Sequence, residues 1–398
     1  MDGRGSPHEE IFKLFDLLPN RISRILTDVD YDLVQELVLD LGRDIEIRYP
    51  DTYVPVVGSS LTGADLTEVL DKLRAFGPDD RTGVDGTLHR ISRINNRVGE
   101  CVGLTFRAGR DFPSSTELID DLLLQPNSML LLGPPSSGKT TTLRSIARFL
   151  SSGLHKRVVV IDTSNEIGGE GDVPHSAIGR ARRMQVPGGQ LQADIMIRAV
   201  ENHNPNVLII DEISTEAEVQ AARTIAQRGI QLIATAHGCH LEDLILNPPL
   251  SLLVGGVDKV TISDDAMERR GLKNKTKLER EMEPTFDVVI ELLSFSTVAV
   301  HKDVRQAVDC LLSEGTAQPE ERRILIDPQG KQRRKMVVTT EARYVLGQQV
   351  KVPEIVADKP VRTTPVRPVI TETNHLPAPK HRSTRRGTRR ANGQHKTH

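Results

Sequence analysis

The chain has 398 residues, of which 37% are hydrophobic and 27% charged, so a sizeable core is possible and a wholly disordered chain is excluded. Aromatic residues make up only 3%, with no Trp, so packing must rely on aliphatic side chains. The net charge of −2 hides an asymmetry, because residues 380–398 contain seven Lys or Arg and no acidic residue.

The first part of the chain predicts a small mixed α/β domain, residues 1–113. Apolar residues at helical spacing predict helices over 9–41, carried by Ile11, Leu14, Phe15, Leu18, Leu33, Leu37 and Leu41. Short strand-like pieces follow at 45–50, 53–57 and 102–107. Between them lies an amphipathic helix that is expected to end at Gly77.

From about residue 115 the pattern changes to flat apolar runs that alternate with helical stretches. The runs lie at 129–133, 157–162, 206–211 and 231–237. Such runs are typical of parallel strands covered on both faces, and they predict an α/β core over 114–313.

Three further elements are predicted near the end of the core, namely a charged loop at 268–283, a β-hairpin from FDVVIELLS and TVAVHK, and a closing helix at Lys302–Ser313. Residues 314–350 form an extension without an assigned structure. The Pro-, Thr- and Arg-rich segment 351–398 predicts a disordered basic tail.

The first apolar run of the core leads into a phosphate-binding loop. The segment fits G-x-x-x-x-G-K-[ST] at every fixed position, and it comprises Gly133, Pro134, Pro135, Ser136, Ser137, Gly138, Lys139 and Thr140. A chance Gly-rich turn is disfavoured because a strand precedes the motif and a helix follows it. Lys139 is expected at the β and γ phosphates of ATP, and the Thr140 hydroxyl on Mg²⁺. The predicted nucleotide contacts extend to Thr141.

A second apolar run ends in two carboxylates, Asp211 and Glu212. We expect Asp211 to hold the Mg²⁺ shell and Glu212 to polarise the attacking water as general base. Strand ends often carry solvated acids, so this pair gains its meaning from the complete phosphate loop.

Two other strand ends carry polar side chains that could face the nucleotide. Glu166 follows the run at 157–162 and is a candidate second water-positioning acid, or else a loop acid that caps the next turn. His237 ends the run at 231–237 and is a candidate sensor of the γ phosphate, although a lone His is more often structural.

Two groups of arginines could supply an arginine finger, in cis or from a neighbouring subunit. One group lies between strands of the core, at Arg180, Arg182 and Arg183, and the other lies upstream of it, at Arg90, Arg93, Arg97, Arg107 and Arg110. Runs of arginine are more often solvated faces, so the sequence does not choose among them.

Several long blocks of the chain resemble one family. The blocks are DTSNEIGGEGDVPHSAIGRARRMQVP, ENHNPNVLIIDEI, ARTIAQRGIQLIATAHG, LVGGVDKVTISDDAMERRG and PTFDVVIEL. They resemble the plastid-encoded and cyanobacterial AAA-type P-loop ATPases related to the sporulation stage III AA protein, and more distantly the secretion and pilus motor ATPases. The resemblance covers roughly 20–312. It implies a RecA-like core behind a small regulatory domain and a homo-oligomeric ring, with a hexamer as the expected size.

Carried onto this sequence, the family's nucleotide loop falls on Gly133–Thr140 and its acidic strand end on Asp211 and Glu212. Glu166 and His237 fall on the acid and sensor positions of the motor relatives. Many cyanobacterial members end in a single-strand nucleic-acid-binding module built around Arg-x-x-x-His. Beyond residue 313 no His here has an Arg four positions earlier, so only the basic tail remains as a nucleic-acid contact.

The cysteines and apolar stretches bear on the compartment. Cys101, Cys239 and Cys310 are odd in number and far apart, so they predict neither a metal pair nor a disulfide framework. No stretch approaches the ~18 apolar residues of a membrane span, and the first residues do not resemble a secretory signal. We therefore expect a reducing cytoplasm, or the plastid stroma if the chain is plastid-encoded.

Together these features predict a Mg²⁺-dependent ATPase that acts as an oligomeric motor or remodelling enzyme on an unidentified protein substrate. The alternative is a nucleic-acid-binding protein in which the ATP site acts as a conformational switch. Stimulation of turnover by single-stranded nucleic acid would favour the alternative.

Overall fold

The computed structural model describes residues 7–26, 29–50, 52–111, 116–261, 276–294, 296–324, 337–340 and 344–345. Within the first 350 residues the described parts belong to one compact unit. The predicted disordered tail at 351–398, and with it the predicted nucleic-acid contact, lies outside the described residues. None of the helices in the described ranges has the length and apolarity needed to cross a membrane.

An antiparallel six-stranded sheet, in the order β3-β2-β1-β6-β5-β4, forms the N-terminal part. Its strands are β1 (Glu36–Asp40), β2 (Glu46–Arg48), β3 (Tyr53–Pro55), β4 (Arg81–Gly83), β5 (Arg90–Asn95) and β6 (Cys101–Arg107). Its helices are α1 (Pro7–Phe15), α2 (Asn20–Ser23) and α3 (Gly63–Asp71). Apolar residues of the helices and of the sheet share one buried cluster, which includes Leu14, Leu66 and Phe106.

Two predictions for this part are wrong. Residues 36–40 form strand β1 rather than a helix, because the buried residues are Leu37 and Leu39, which alternate along the strand, whereas Leu33 and Leu41 are exposed. The three leucines that suggested a helix therefore do not share a buried face. The third helix ends at Asp71, before Gly77.

A nine-stranded sheet in the order β18-β17-β15-β14-β7-β11-β10-β8-β9 forms the core. Its strands are β7 (Met129–Leu132), β8 (Val158–Asp162), β9 (Arg182–Gln185), β10 (Val207–Ile213), β11 (Gln231–Ala236), β14 (Val288–Ser294), β15 (Thr297–His301), β17 (Glu320–Arg323) and β18 (Val337–Thr340). The strands from β14 to β9 run parallel, and β15, β17 and β18 continue the sheet antiparallel.

Helices cover both faces of this sheet. They are α4 (Asp120–Leu123), α5 (Lys139–Arg148), α6 (Gln192–His203), α7 (Glu216–Gln227), α8 (Leu241–Leu246), α9 (Pro248–Ser251) and α10 (Val304–Glu314). The cluster on one face includes residues of α4 and α5, and the cluster on the other includes residues of α6 to α10. The four apolar runs are flat in hydrophobicity because their strands are buried from both sides, as predicted. The predicted α/β core, a largely parallel sheet covered by helices on both faces, is confirmed.

The remaining elements are short. They are a π-helical turn (Phe149–Gly153), two 3₁₀ turns (Ser176–Ile178 and Leu252–Val254), and four strands in two small sheets, β12 (Val257–Thr261), β13 (Thr276–Arg280), β16 (Thr316–Ala317) and β19 (Tyr344–Val345).

Predictions for the end of the core are partly confirmed. The β14–β15 hairpin and the closing helix are present, although the hairpin does not end the sheet, since β17 and β18 extend it. Part of the predicted charged loop is instead strand β13, which pairs with β12. The arginines at 182 and 183 lie in edge strand β9 rather than between strands. The division of the chain at 113/114 stays a prediction.

Candidate functional site

The segment Gly133–Gly138 forms a tight loop between the buried strand β7 and helix α5, and Lys139 and Thr140 are the first two residues of α5. Gly133 has φ +152°, and a Cβ there would lie 2.7 Å from the Ser137 Oγ and 2.9 Å from the Leu292 carbonyl oxygen. Gly138, with φ +94°, is the N-cap residue directly before α5. Both positions therefore require glycine for the loop to close.

The side chain of Lys139, the first residue of α5, contacts this loop. Its Nζ donates to the carbonyl oxygens of Gly133 at 2.5 Å and Pro134 at 3.2 Å. Burial lowers the pKa of the Lys139 ammonium, and the negative charge of Glu212 opposes that shift. The Lys139 ammonium thus lies against the loop backbone, where its charge is available to a phosphate that binds there.

Strand β10 brings Asp211 to the same edge of the sheet, although β11 separates it from the loop strand. The Ser164 hydroxyl donates to the Asp211 carboxylate at 2.9 Å. Burial, followed by the charges of Asp162 and Glu166, raises the pKa of Asp211 to about 7. An acid so poorly compensated by positive charge is a favourable ligand for a cation.

Glu166 lies between the phosphate loop and the N-terminal sheet. One carboxylate oxygen forms an ion pair with Arg90 of β5, and the other is 3.4 Å from the Thr140 hydroxyl. The structure therefore brings Thr140, Glu166 and Asp211 to one place, and it adds Arg90 from the N-terminal part.

The loop that carries Glu166 is held by two buried or half-buried side chains. The Asp162 carboxylate accepts from the backbone amides of Ile167 at 3.2 Å and Gly168 at 2.7 Å. The guanidinium of Arg183 donates to the Gly168 carbonyl at 3.3 Å and also to those of Gly169 and Gly171. Arg183 thus stabilises this loop, and its donors are engaged there.

Glu212 and His237 are more exposed than the other predicted residues. Their side chains are 52% and 85% exposed, and the Glu212 Oε1 lies 3.9 Å from the His237 Nδ1. The backbone of Glu212 is fixed, because its carbonyl oxygen accepts from the Gln192 side chain at 2.7 Å. The pair is therefore open to a bound molecule, with neither side chain committed to the core.

The other arginine candidates divide into engaged and exposed side chains. Arg93 pairs with Asp80 at 2.7 Å, and Arg110 donates to the Tyr31 and Val34 carbonyl oxygens at 2.9 and 2.8 Å. The exposed candidates are Arg97, Arg107, Arg180 and Arg182. Among the described arginines, Arg90 alone pairs with one of the predicted site acids.

One cluster next to the loop was missed by the sequence reasoning. Glu291 is fully buried in β14 and contacts two histidines, His240, which follows β11, and His301 of β15. The signal was a charged residue in the middle of the apolar run VVIELL, together with the closely spaced histidines of HGCH.

Comparison with known proteins gives one family match. The model of the family "Sporulation stage III, protein AA" matches residues 91–263. The sequence is also 48% identical over 305 residues to "Uncharacterized protein ycf45" of Porphyra purpurea, covering 76% of this chain and 54% of that protein. "Protein SEEDLING PLASTID DEVELOPMENT 1" of Arabidopsis thaliana is 46% identical over 80% of this chain and 46% of its own length.

"Uncharacterized protein ycf45" of Cyanidium caldarium is 45% identical over 70% of this chain and 82% of its own length. The chain spans about half the length of the Porphyra and Arabidopsis relatives. Among solved structures, the Legionella pneumophila ATPase DotB aligns with a TM-score of 0.45 at 13% identity, covering 86% of this chain and 82% of that chain.

Proposed function

The chain belongs to the ycf45 family, and we propose that it is a P-loop ATPase that binds and hydrolyses Mg-ATP. One observation carries the proposal. A phosphate-type loop with Lys139 at its centre places Thr140 within 3.4 Å of Glu166, whose loop also touches Asp211 through Ser164. Cationic, hydroxyl and carboxylate groups thus meet at the carboxyl edge of a parallel sheet, where such folds bind ligands.

The residues present fit a magnesium ion. Burial, and then the charges of Asp162 and Glu166, raise the pKa of Asp211 to about 7, and a divalent cation would stabilise its ionised form. In the part of the chain that the structure describes, no three His, Cys, Asp or Glu side chains form a ready metal cage. Magnesium suits such a site, because it usually takes one or two protein ligands and completes its shell with phosphates and water. Thr140 and Asp211 would hold it, and it would neutralise phosphate charge.

Each site residue then has a distinct role. Lys139 supplies a positive charge at the phosphates, and backbone amides that follow Pro135 surround them. Glu212 is the proposed general base, since it is open to solvent and near His237, the proposed sensor. Glu166 is the proposed second acid that positions the attacking water. Arg90 is the arginine best placed to meet a phosphate, because it is paired with Glu166, and the same carboxylate lies 3.4 Å from the Thr140 hydroxyl.

The wider role is proposed as well. We infer an oligomeric motor or remodelling ATPase of the AAA or secretion type, in which several subunits form a ring. Exposed arginines such as Arg97, Arg107 and Arg180 would be available to a neighbouring subunit. The Arabidopsis relative is named for plastid development, which fits a plastid stroma or a related cytoplasm as the compartment.

The test compares the full chain with Lys139→Ala. Calorimetric titration should show Mg-ATP binding by the wild-type protein, and a phosphate-release assay should show its turnover. Both should be lost together in the variant, because the phosphate site then lacks the positive charge of Lys139. Lys156→Ala is a suitable control, since Lys156 contacts Gln231 at 3.1 Å rather than the loop. Wild-type affinity in Lys139→Ala would rule out the assignment.

A further inference from the structure

A buried carboxylate lies directly behind the phosphate loop and takes no part in the proposed chemistry. Glu291 is in β14, opposite Leu132, the residue that precedes Gly133. Its side chain is 0% exposed. A buried charge is costly unless it is paired and hydrogen-bonded, so the contacts of Glu291 show what it stabilises.

Those contacts converge on the turn that follows β11. The Glu291 carboxylate accepts from the Leu241 amide at 2.9 Å, from the His240 Nδ1 at 3.1 Å and from the His301 Nε2 at 3.1 Å. Asp243 fixes the same turn from the other side, since it accepts from the amides of Cys239 at 2.7 Å and His240 at 3.0 Å.

The turn in question is joined to the nucleotide loop. The Gly133 amide donates to the Gly238 carbonyl oxygen at 2.9 Å, and His237 immediately precedes Gly238. Gly238 has φ +151°, and a Cβ there would lie 3.2 Å from the Asp243 Cβ. Gly133, the first residue of the loop, is therefore hydrogen-bonded to a turn whose conformation is fixed by Glu291 and Asp243.

We propose that Glu291 is a positioning residue of the nucleotide site, holding the 237–241 turn and, through Gly238, the start of the phosphate loop. The proposal rests on the proposed ATPase function. Glu291 acts through the turn, and it does not touch the reacting atoms.

The charges around Glu291 give the proposal a pH signature. The ionisable groups that face it are His240, Glu242, Asp243 and Cys239 from the turn and α8, and His301 from β15. Burial favours the protonated acid, but the hydrogen bonds from His240 and His301 prevail and hold the pKa of Glu291 at about 2. The same hydrogen bond raises the pKa of His240.

The sign of the pH effect follows from His240. Its raised pKa means that the charged pair with Glu291 is complete below the ordinary His value of about 6.5 and is lost as pH rises through the raised value. The contribution of the His240–Glu291 pair to nucleotide affinity should therefore decrease as pH rises through the raised pKa of His240. Comparing the wild type with His240→Gln isolates this contribution, because both proteins keep Asp211 and Glu242, whose pKa values of about 7 also affect the pH profile.

The main variant is Glu291→Gln in the full chain, titrated with Mg-ADP so that turnover is not needed. We expect affinity at about pH 6 to fall on the order of 10-fold, the effect of losing charged hydrogen bonds, and the remaining pH dependence to match that of His240→Gln. Amide hydrogen exchange should accelerate at Leu241 and also at Gly133. Glu321→Gln is the matched control, because Glu321 is a buried acid of the same sheet that pairs with Arg323.

Each outcome decides the matter. Faster exchange at Leu241 with unchanged Gly133 exchange and unchanged affinity would show a purely structural role and overturn the proposal. An equal effect of Glu321→Gln would do the same. If the wild-type protein binds no nucleotide, the ATPase function fails, and exchange at Gly133 still decides whether Glu291 holds the loop.

Discussion

Glu212→Gln separates the two acids that could activate water. Glu212 is half exposed beside His237, whereas Glu166 is engaged by Arg90 and Thr140. The change at Glu212 removes a proton acceptor without breaking a contact of the nucleotide loop. We therefore expect ATP affinity to remain and hydrolysis to slow by a factor on the order of 10², the usual contribution of a general base. This corresponds to about 2.7 kcal/mol in the barrier.

Glu166→Gln should behave differently. Its neutral side chain loses the ion pair with Arg90 and adds an amide next to the Thr140 hydroxyl, so binding and turnover should both weaken. The assay is steady-state phosphate release together with calorimetric binding of Mg-ATP by the same preparations. Glu216→Gln, an exposed acid at the start of α7, is the matched control. Near-normal turnover in Glu212→Gln with none in Glu166→Gln would show that the roles of the two acids are reversed.

Three other predictions follow from the same geometry. In a double-mutant cycle on the free energy of unfolding, Arg90→Ala and Glu166→Gln should show a coupling energy of about 1 kcal/mol. This is the upper end for surface pairs, because the two side chains are only 22% and 35% exposed. Additive effects would mean that the pair does not join the two parts of the chain. Asp65→Asn should lower the melting temperature at neutral pH and by progressively less as pH falls: the hydrogen bond from Arg21 lowers the pKa of Asp65, so this stability is complete above the unfolded value of about 3.9 and is lost as pH falls through the lower folded value. A melting curve equally affected at low pH would contradict this. Light scattering with Mg-ATP at several protein concentrations should give the mass of an oligomer, as expected for a ring. A monomer with full activity at every concentration would contradict the ring.

The elements that could be predicted from sequence are those whose burial leaves a local pattern. Strands β7, β8, β10 and β11 are covered on both faces, so nearly every residue in them is apolar and the run is visible. Strand β1 has only five residues, and its alternation of Leu37 and Leu39 was outweighed by leucines at helical spacing. Strand β9 reads RRMQ and lies at a sheet edge, so no apolar signal marks it.

The same reasoning divides the site. The phosphate loop and the acids after β10 are local in sequence, and a motif with its flanking strand and helix identifies them. Arg90 and Glu166 are 76 positions apart, and Leu241 and Glu291 are 50 apart. No periodicity links such positions, because their contact depends on how the sheets and loops pack. The sequence could therefore offer Arg90 only as one member of a group.

The loop that carries Glu166 belongs to both parts of the chain. On the core side, Asp162 and Arg183 fix its backbone. On the other side, Glu170 exchanges backbone hydrogen bonds with Gly86 at 3.1 Å and Thr87 at 3.3 Å. The approach is so close that a Cβ on Gly169 would lie 2.4 Å from the Thr87 carbonyl oxygen.

The N-terminal helix adds a further contact to this loop, since the His175 Nε2 lies 2.7 Å from the Glu10 carboxylate. Lys139 and Asp211, by contrast, are placed by core strands and the helix that follows them. A displacement of the N-terminal sheet would therefore move Glu166, through Arg90 and the 168–175 backbone, more than it moves Lys139 or Asp211. The position of Glu166 relative to Lys139 and Asp211 therefore depends on contacts with the N-terminal part, whereas the other two residues are placed by the core.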